Sequence, residues 1–207
     1  MVNGVRPHSS ANAKLRPFRA ECAHRFAGPL TPEDHRDVHE AQTVIRILVV
    51  DDAEVLRRAI CRALSARPEC HVVSEVSNAT SAIEKAKEHQ PDVVLLDISM
   101  PDLNGLQAIP LIKKVAPRSE ILVVTQHSNR FFVGEAFAQG ARGFLNKSDL
   151  AAELHEAVIE VVLKKRFLST SVRAQQFGIG AGGRRFPWRL LGFRKRLGEY
   201  FRERRST

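Results

Sequence analysis

The residues best suited to chemistry sit directly behind short apolar runs. Asp51 and Asp52 follow IRILVV (45–50), Asp97 follows DVVLL (92–96), Thr125 follows EILVV (120–124), and Lys147 follows RGFLN (142–146). Clustered carboxylates repel one another and become tolerable around a hard divalent cation. Mg²⁺ prefers such oxygen ligands, phosphate oxygens among them. An Asp carboxylate can attack a phosphoryl group and carry it as an aspartyl phosphate. A cation, an ammonium and a hydroxyl would then stabilise the charge on the transferring oxygens. An isolated Asp at a strand end is more often a helix cap, and an isolated Lys is usually solvated. Five such residues in register argue against that plainer reading.

For these residues to meet, the apolar runs must be neighbours in one sheet. IRILVV, DVVLL and EILVV do not alternate, which is how strands buried on both faces of a parallel sheet read. HVVSEV (71–76) and RGFLN (142–146) are weaker strands. Between them, Leu56, Ile60, Ala63 and Leu64 recur at helical spacing, as do Leu150, Leu154, Ala157, Val158, Val161 and Val162. Pro91 closes one helix and Gly140 suits a left-handed cap. The alternation predicts an α/β, doubly wound parallel sheet of five strands flanked by five helices, with right-handed crossovers. In such sheets ligands sit outside the carboxyl ends of the strands, where all five residues fall.

At this point residues 45–168 resemble the receiver domain of bacterial two-component response regulators. The resemblance rests on RILVVDD, VVLLDISMPDLNG, ILVVTQH and GARGFLNKSD, and covers about 60% of the chain. It implies a flavodoxin-like strand order 2-1-3-4-5. It implies Asp97 as phosphoacceptor. Asp52, Asp97 and the Ser99 carbonyl would hold Mg²⁺ directly, with Asp51 acting through water. Lys147 would pair with the phosphoryl oxygens, Thr125 would swing toward them, and Phe144 would rotate inward as Thr125 moves. Without the resemblance Phe144 is a core strand aromatic. Pro101 and Gly105 would shape the loop after the acceptor, one fixing φ and the other allowing unusual dihedrals. Two departures stand out. Asn146 takes a place where the family favours an apolar residue, an expected change of packing only. Ser99 and His127 occupy positions that govern access of water to the phosphate, although His127 also reads as an idle surface residue.

The implied function is signalling. A sensor histidine kinase or phosphotransfer protein would donate the phosphoryl group, and the only catalysis would be Mg²⁺-dependent self-phosphorylation and autodephosphorylation. The added charge would bias the face made by the fourth helix, fifth strand and fifth helix, a surface for protein contact or homodimerisation. Phe131 and Phe132 begin that fourth helix, and one of them is expected to face outward.

Charge refines the picture. The chain has 207 residues and a formal charge of +9. Residues 1–44 carry net +1, 45–170 carry net 0, and 171–207 carry net +8. The excess therefore describes the tail and not the domain. Residues 1–44, with four prolines and scattered histidines, read as a disordered arm, and a native start at the codon of Val38 or Val44 is a further expectation. The span 169–207 reads as a basic tail with a Gly-rich linker, GIGAGG, and an amphipathic helix outlined by FPWRLLGFRKRLGEYFRERR. The plain reading is a solvated, frayed tail; the alternatives are docking on an acidic protein surface or on its own receiver, association with a membrane surface, and contact with nucleic acid phosphates.

GARGFLNKSD and RFLSTSV are most similar to NarL/FixJ-type regulators, which usually continue into a helix-turn-helix domain. No such domain is legible here. A DNA-binding regulator using the basic tail or a truncated helix-turn-helix is the rival reading, and a Mg²⁺-dependent hydrolase is a weaker one, since DISM lacks a second acid. Apolar runs are too short for a membrane span, no signal peptide is seen, and Cys22, Cys61 and Cys70 read as reduced thiols. A cytoplasmic location is expected.

Overall fold

A computed structural model describes residues 44–101 and 104–177. Nearly all of the expected arm lies outside these residues, with Cys22 in it, as does the tail beyond Phe177, including GIGAGG and the amphipathic stretch.

The strands are β1 (Ile45–Val50), β2 (Cys70–Val76), β3 (Val93–Leu96), β4 (Glu120–Thr125), β5 (Gly143–Asn146) and β6 (Phe167–Leu168). The helices are α1 (Glu54–Ser65), α2 (Ala79–His89), α3 (Gly105–Val115), α4 (Arg130–Ala138), α5 (Leu150–Val162) and α6 (Thr170–Phe177). All strand pairings are parallel, in the order β2-β1-β3-β4-β5-β6. The doubly wound sheet expected from the sequence is present in the order 2-1-3-4-5. It is extended by one short strand and one helix, so regular structure continues past residue 168.

The absence of alternation in the strands has a direct cause. Ile45, Ile47 and Val49 of β1 face one core with Ile60 and Leu64 of α1 and Leu154 and Val158 of α5. Leu48 and Val50 face the opposite core with Ala82 of α2, Ile109 of α3 and Val133 of α4. Both faces of the strand are covered, so both parities are apolar. Full burial of each Val, Leu or Ile is worth about 1.5–3 kcal/mol. Of the expected α1 face, Ile60 and Leu64 are buried and Leu56 is half-buried, while Ala63 is exposed.

Helix ends follow their capping residues. Asn78, Asn104 and Asn129 each accept a backbone N–H in the first turn of α2, α3 and α4. Gly140 has φ +105 after α4. Ala141 N–H donates to Ala136 O at 2.9 Å and Gly140 N–H to Phe137 O at 3.2 Å, the paired bonds of a Schellman stop. Pro91 follows Gln90, which ends α2 in the left-handed region. Among the described residues, no helix is long and apolar enough to cross a membrane.

Candidate functional site

β1 and β3 are neighbours, yet α1 and α3 leave them toward opposite cores. Their carboxyl ends open the crevice expected of such a sheet. Asp51 follows β1 and Asp97 follows β3, and each is 1% exposed. Asp52, the next residue, is exposed. One carboxylate oxygen from each of Asp51, Asp52 and Asp97 lies within 4.8 Å of the others.

Lys147 follows β5, two strands beyond β3. Its Nζ donates to Asp97 Oδ2 at 2.6 Å and lies 2.8 Å from Asp51 Oδ2. The latter contact is an ion pair without hydrogen-bond geometry, because Asp51 Oδ2 is a buried oxygen with no hydrogen-bond donor. The remaining carboxylate oxygens are held by backbone. Ala53 N–H donates to Asp51 Oδ1 at 2.9 Å, and Ser99 N–H donates to Asp97 Oδ1 at 3.0 Å. Arg57 of α1 donates to the Asp51 carbonyl at 2.7 Å.

These contacts set the protonation balance. Burial pushes Asp51 above the usual carboxylate range, and Lys147 offsets only part of that rise. Burial alone would lower Lys147, but the close contacts and charges of Asp51 and Asp97 outweigh it and hold the ammonium above its usual value. Such a set suits a hard cation: three clustered carboxylates, one with a buried oxygen lacking a donor. Asp51, Asp52 and Asp97 are the residues able to hold it.

Thr125 closes β4 and is fully buried. Its Oγ1 accepts from His127 N–H at 3.2 Å and lies 3.4 Å from Ser99 Oγ. Phe144 of β5 is also fully buried, in the α2–α3–α4 core. His127 is exposed, its ring 5.5 Å from that of Phe132. Phe131 is 70% exposed, and Phe132 packs partly on the core.

Gly105 has a reason other than the expected dihedral freedom. A Cβ there would lie 2.2 Å from the Asp97 carbonyl oxygen and 2.6 Å from Ile98 Cα. The start of α3 thus sits against the β3 exit too closely for a side chain. Asn146 also does more than pack. Its Oδ1 accepts from Ser148 N–H at 2.8 Å, capping the 3₁₀ turn Lys147–Asp149, and its Nδ2 donates to Gln126 O at 3.3 Å. It ties the Lys147 turn to the loop behind Thr125.

Residues beyond the expected set complete this arrangement. Ser169 Oγ accepts from Asn146 N–H at 3.1 Å. Asp149 Oδ2 accepts from Ser171 N–H at 3.0 Å and Oγ at 2.6 Å. At the far end of α6, Ser128 Oγ donates to Gln175 Oε1 at 2.6 Å. The helix is therefore tied both to the Lys147 turn and to the loop behind Thr125. RFLSTSV is the sequence signal that points to its N-terminal end. Cys61 and Cys70 are free thiols. Burial pushes them up to about 11 and about 12, which leaves them unreactive.

With the geometry in place, comparison with known proteins is decisive. Residues 47–159 match the family model of the response regulator receiver domain, which is more than half of the chain. The chain belongs to the response regulator receiver family. It is 36% identical over 118 residues to the transcriptional regulatory protein LnrK of Bacillus subtilis, covering 57% of this chain and 54% of LnrK. It is 35% identical over 116 residues to the chemotaxis protein CheY of Thermotoga maritima, covering 56% of this chain and 96% of CheY. The solved receiver domain of the response regulator NarL from Mycobacterium tuberculosis aligns with TM-score 0.55 and 34% identity, covering 57% of this chain and 96% of that domain. The chain spans about half the length of LnrK. It is a receiver domain of two-component signalling with additional sequence on both sides.

Proposed function

We propose that this receiver accepts a phosphoryl group on Asp97 from a phosphohistidine of a sensor kinase or phosphotransfer protein in the cytoplasm. One observation carries the reading. The Asp97 carboxylate is buried at a strand exit with Lys147 Nζ 2.6 Å from one oxygen, beside two further carboxylates. Asp51, Asp52, Asp97 and the Ser99 carbonyl would hold Mg²⁺, which supplies charge neutralisation at the phosphoryl oxygens. Asp97 is the nucleophile. Lys147, already an ammonium held above its usual pKa, shifts from the carboxylate to the phosphoryl oxygens. Thr125 gives up its contacts at the β4 exit to reach the same group, and Phe144 is the aromatic partner of that movement, its full burial in keeping with an inward position.

The readout is through protein contact on the α4–β5–α5 face, by homodimerisation or by a downstream partner. No enzyme activity beyond self-phosphorylation and autodephosphorylation is assigned. The test is labelling of the whole chain with acetyl phosphate, with and without Mg²⁺. Wild type should incorporate phosphate only with the metal, and Asp97→Asn should incorporate none. Retained labelling in that variant would overturn the assignment.

A further inference from the structure

A cleft of about 620 Å³ opens between α4, β6 and α6, apart from the carboxylate cluster. Its charged lining has one sign: Arg130, Arg166 and Arg173, with no Asp or Glu. Arg166 stands over the Phe137 ring, 5.1 Å from the centroid, which steadies its planar fork at the wall. Arg130 donates to the Gln176 carbonyl oxygen, so it spans the cleft from α4 to α6. Gln176 also presents a buried Nε2 that has no acceptor. An unpaired buried donor is costly, and rotation of the Gln176 amide toward the cleft would let an incoming carboxylate relieve it. The floor is apolar, and five of the nine lining residues have no polar side-chain atom. Phe177, 62% exposed, stands at the edge.

We propose that this cleft docks an acidic segment of a partner protein. Carboxylates would meet the three arginines in bidentate pairs, and one apolar side chain would rest on the floor. The chain's own following segment is a poor match in charge, since residues 178–207 carry nine basic and two acidic side chains. The apolar floor favours a peptide side chain over a phosphate backbone, which is tracked by an extended basic groove. Arg166, Arg173 and Gln176 lie beyond the family-matched span 47–159. Residues beyond that span therefore complete a cleft begun by α4, and it does not depend on Asp97.

The test uses the full chain and a fluorescein-labelled Glu-rich peptide carrying one leucine, followed by anisotropy near physiological salt. Saturable binding should weaken about tenfold in Arg166→Glu and in Arg173→Glu, with Arg166→Gln intermediate and circular dichroism unchanged. The Gln176 side-chain amide resonance should move on titration. Replacing Arg184, Arg185, Arg189 and Arg194 together by Gln should leave the affinity within about twofold. The proposal is overturned if those tail replacements abolish binding while the cleft reversals do not. It is also overturned if a single-stranded oligonucleotide outcompetes the peptide through the same arginines, or if the Gln176 resonance stays still.

Discussion

Lys147 Nζ lies 2.6 Å from Asp97 Oδ2 and 2.8 Å from Asp51 Oδ2, so one ammonium serves two buried carboxylates. Lys147→Ala leaves those carboxylates facing each other in a poorly solvated crevice. Breaking a buried pair from one side costs roughly 3–5 kcal/mol, and protonation of one acid returns part of that. The expected loss at neutral pH in EDTA is about 3 kcal/mol by urea titration. The sign with pH follows from the raised pKa of Lys147. Its contribution is fully present below the usual lysine value and disappears as pH rises through the higher folded value. Wild type should lose stability in that alkaline window, and the alanine variant should lose less. A cost under about 1 kcal/mol, the range of solvated pairs, would contradict the buried bridge.

Asp51 carries the opposite signature. Burial raises its pKa, so the ionised form is disfavoured in the folded state. Stability therefore falls as pH rises from the ordinary carboxylate value through the raised one, and stays low above it. Asp51→Asn removes that charge. In EDTA at neutral pH the variant should melt higher than wild type. Added Mg²⁺ should raise the melting temperature of wild type and leave the variant nearly unmoved. A variant that melts lower in EDTA, or that responds fully to Mg²⁺, would contradict this role.

Two glycines give a steric contrast. Gly105→Ala places a methyl 2.2 Å from the Asp97 carbonyl oxygen. Backbone must shift, at a cost of about 1–3 kcal/mol, and the β3 exit at Asp97 moves with it. Gly134, inside α4, has nothing within 4 Å of an added Cβ. Gly134→Ala should instead stabilise by about 0.5–1 kcal/mol through helix propensity. Urea midpoints decide both signs, and phosphate incorporation should fall only in Gly105→Ala.

Most of the sheet and the five chemical residues are legible in the sequence because burial on both faces forces continuous apolar runs. Each run then ends abruptly at Asp51, Asp97, Thr125 or Lys147. The rest has weaker sequence signals. β6 is two residues long, Phe167–Leu168, too short for any periodicity. α6 buries only Val172 fully, and polar bonds from Ser169, Ser171 and Gln175 contribute to its attachment. Those bonds join residues more than twenty positions apart, which no local pattern encodes. Gly105 is readable as a glycine, but its cause, the approach of α3 to Asp97, exists only in three dimensions. Asn146 misled for the same reason: its partners are a turn and a loop, not the strand that contains it.

The attachment of α6 yields the last prediction. Asp149 Oδ2 accepts both Ser171 N–H and Ser171 Oγ–H, placing a negative charge at the helix start, where the backbone donors need an acceptor. Burial opposes the charge of Asp149, but the bonds from Ser169, Ser171 and Ser148 prevail and lower its pKa. Its contribution is therefore present above the ordinary carboxylate value and is lost as pH falls through the lower folded value. Asp149→Asn keeps the shape and weakens the cap, at a cost of about 1 kcal/mol. Amide exchange across 170–177 should quicken about fivefold, which is that cost at room temperature, while exchange in α1 stays unchanged. Acidification should then quicken α6 exchange in wild type, beyond its effect on intrinsic exchange, more than in the variant. Uniform quickening of α1 and α6 would mean that Asp149 supports the whole domain and not the docking of α6.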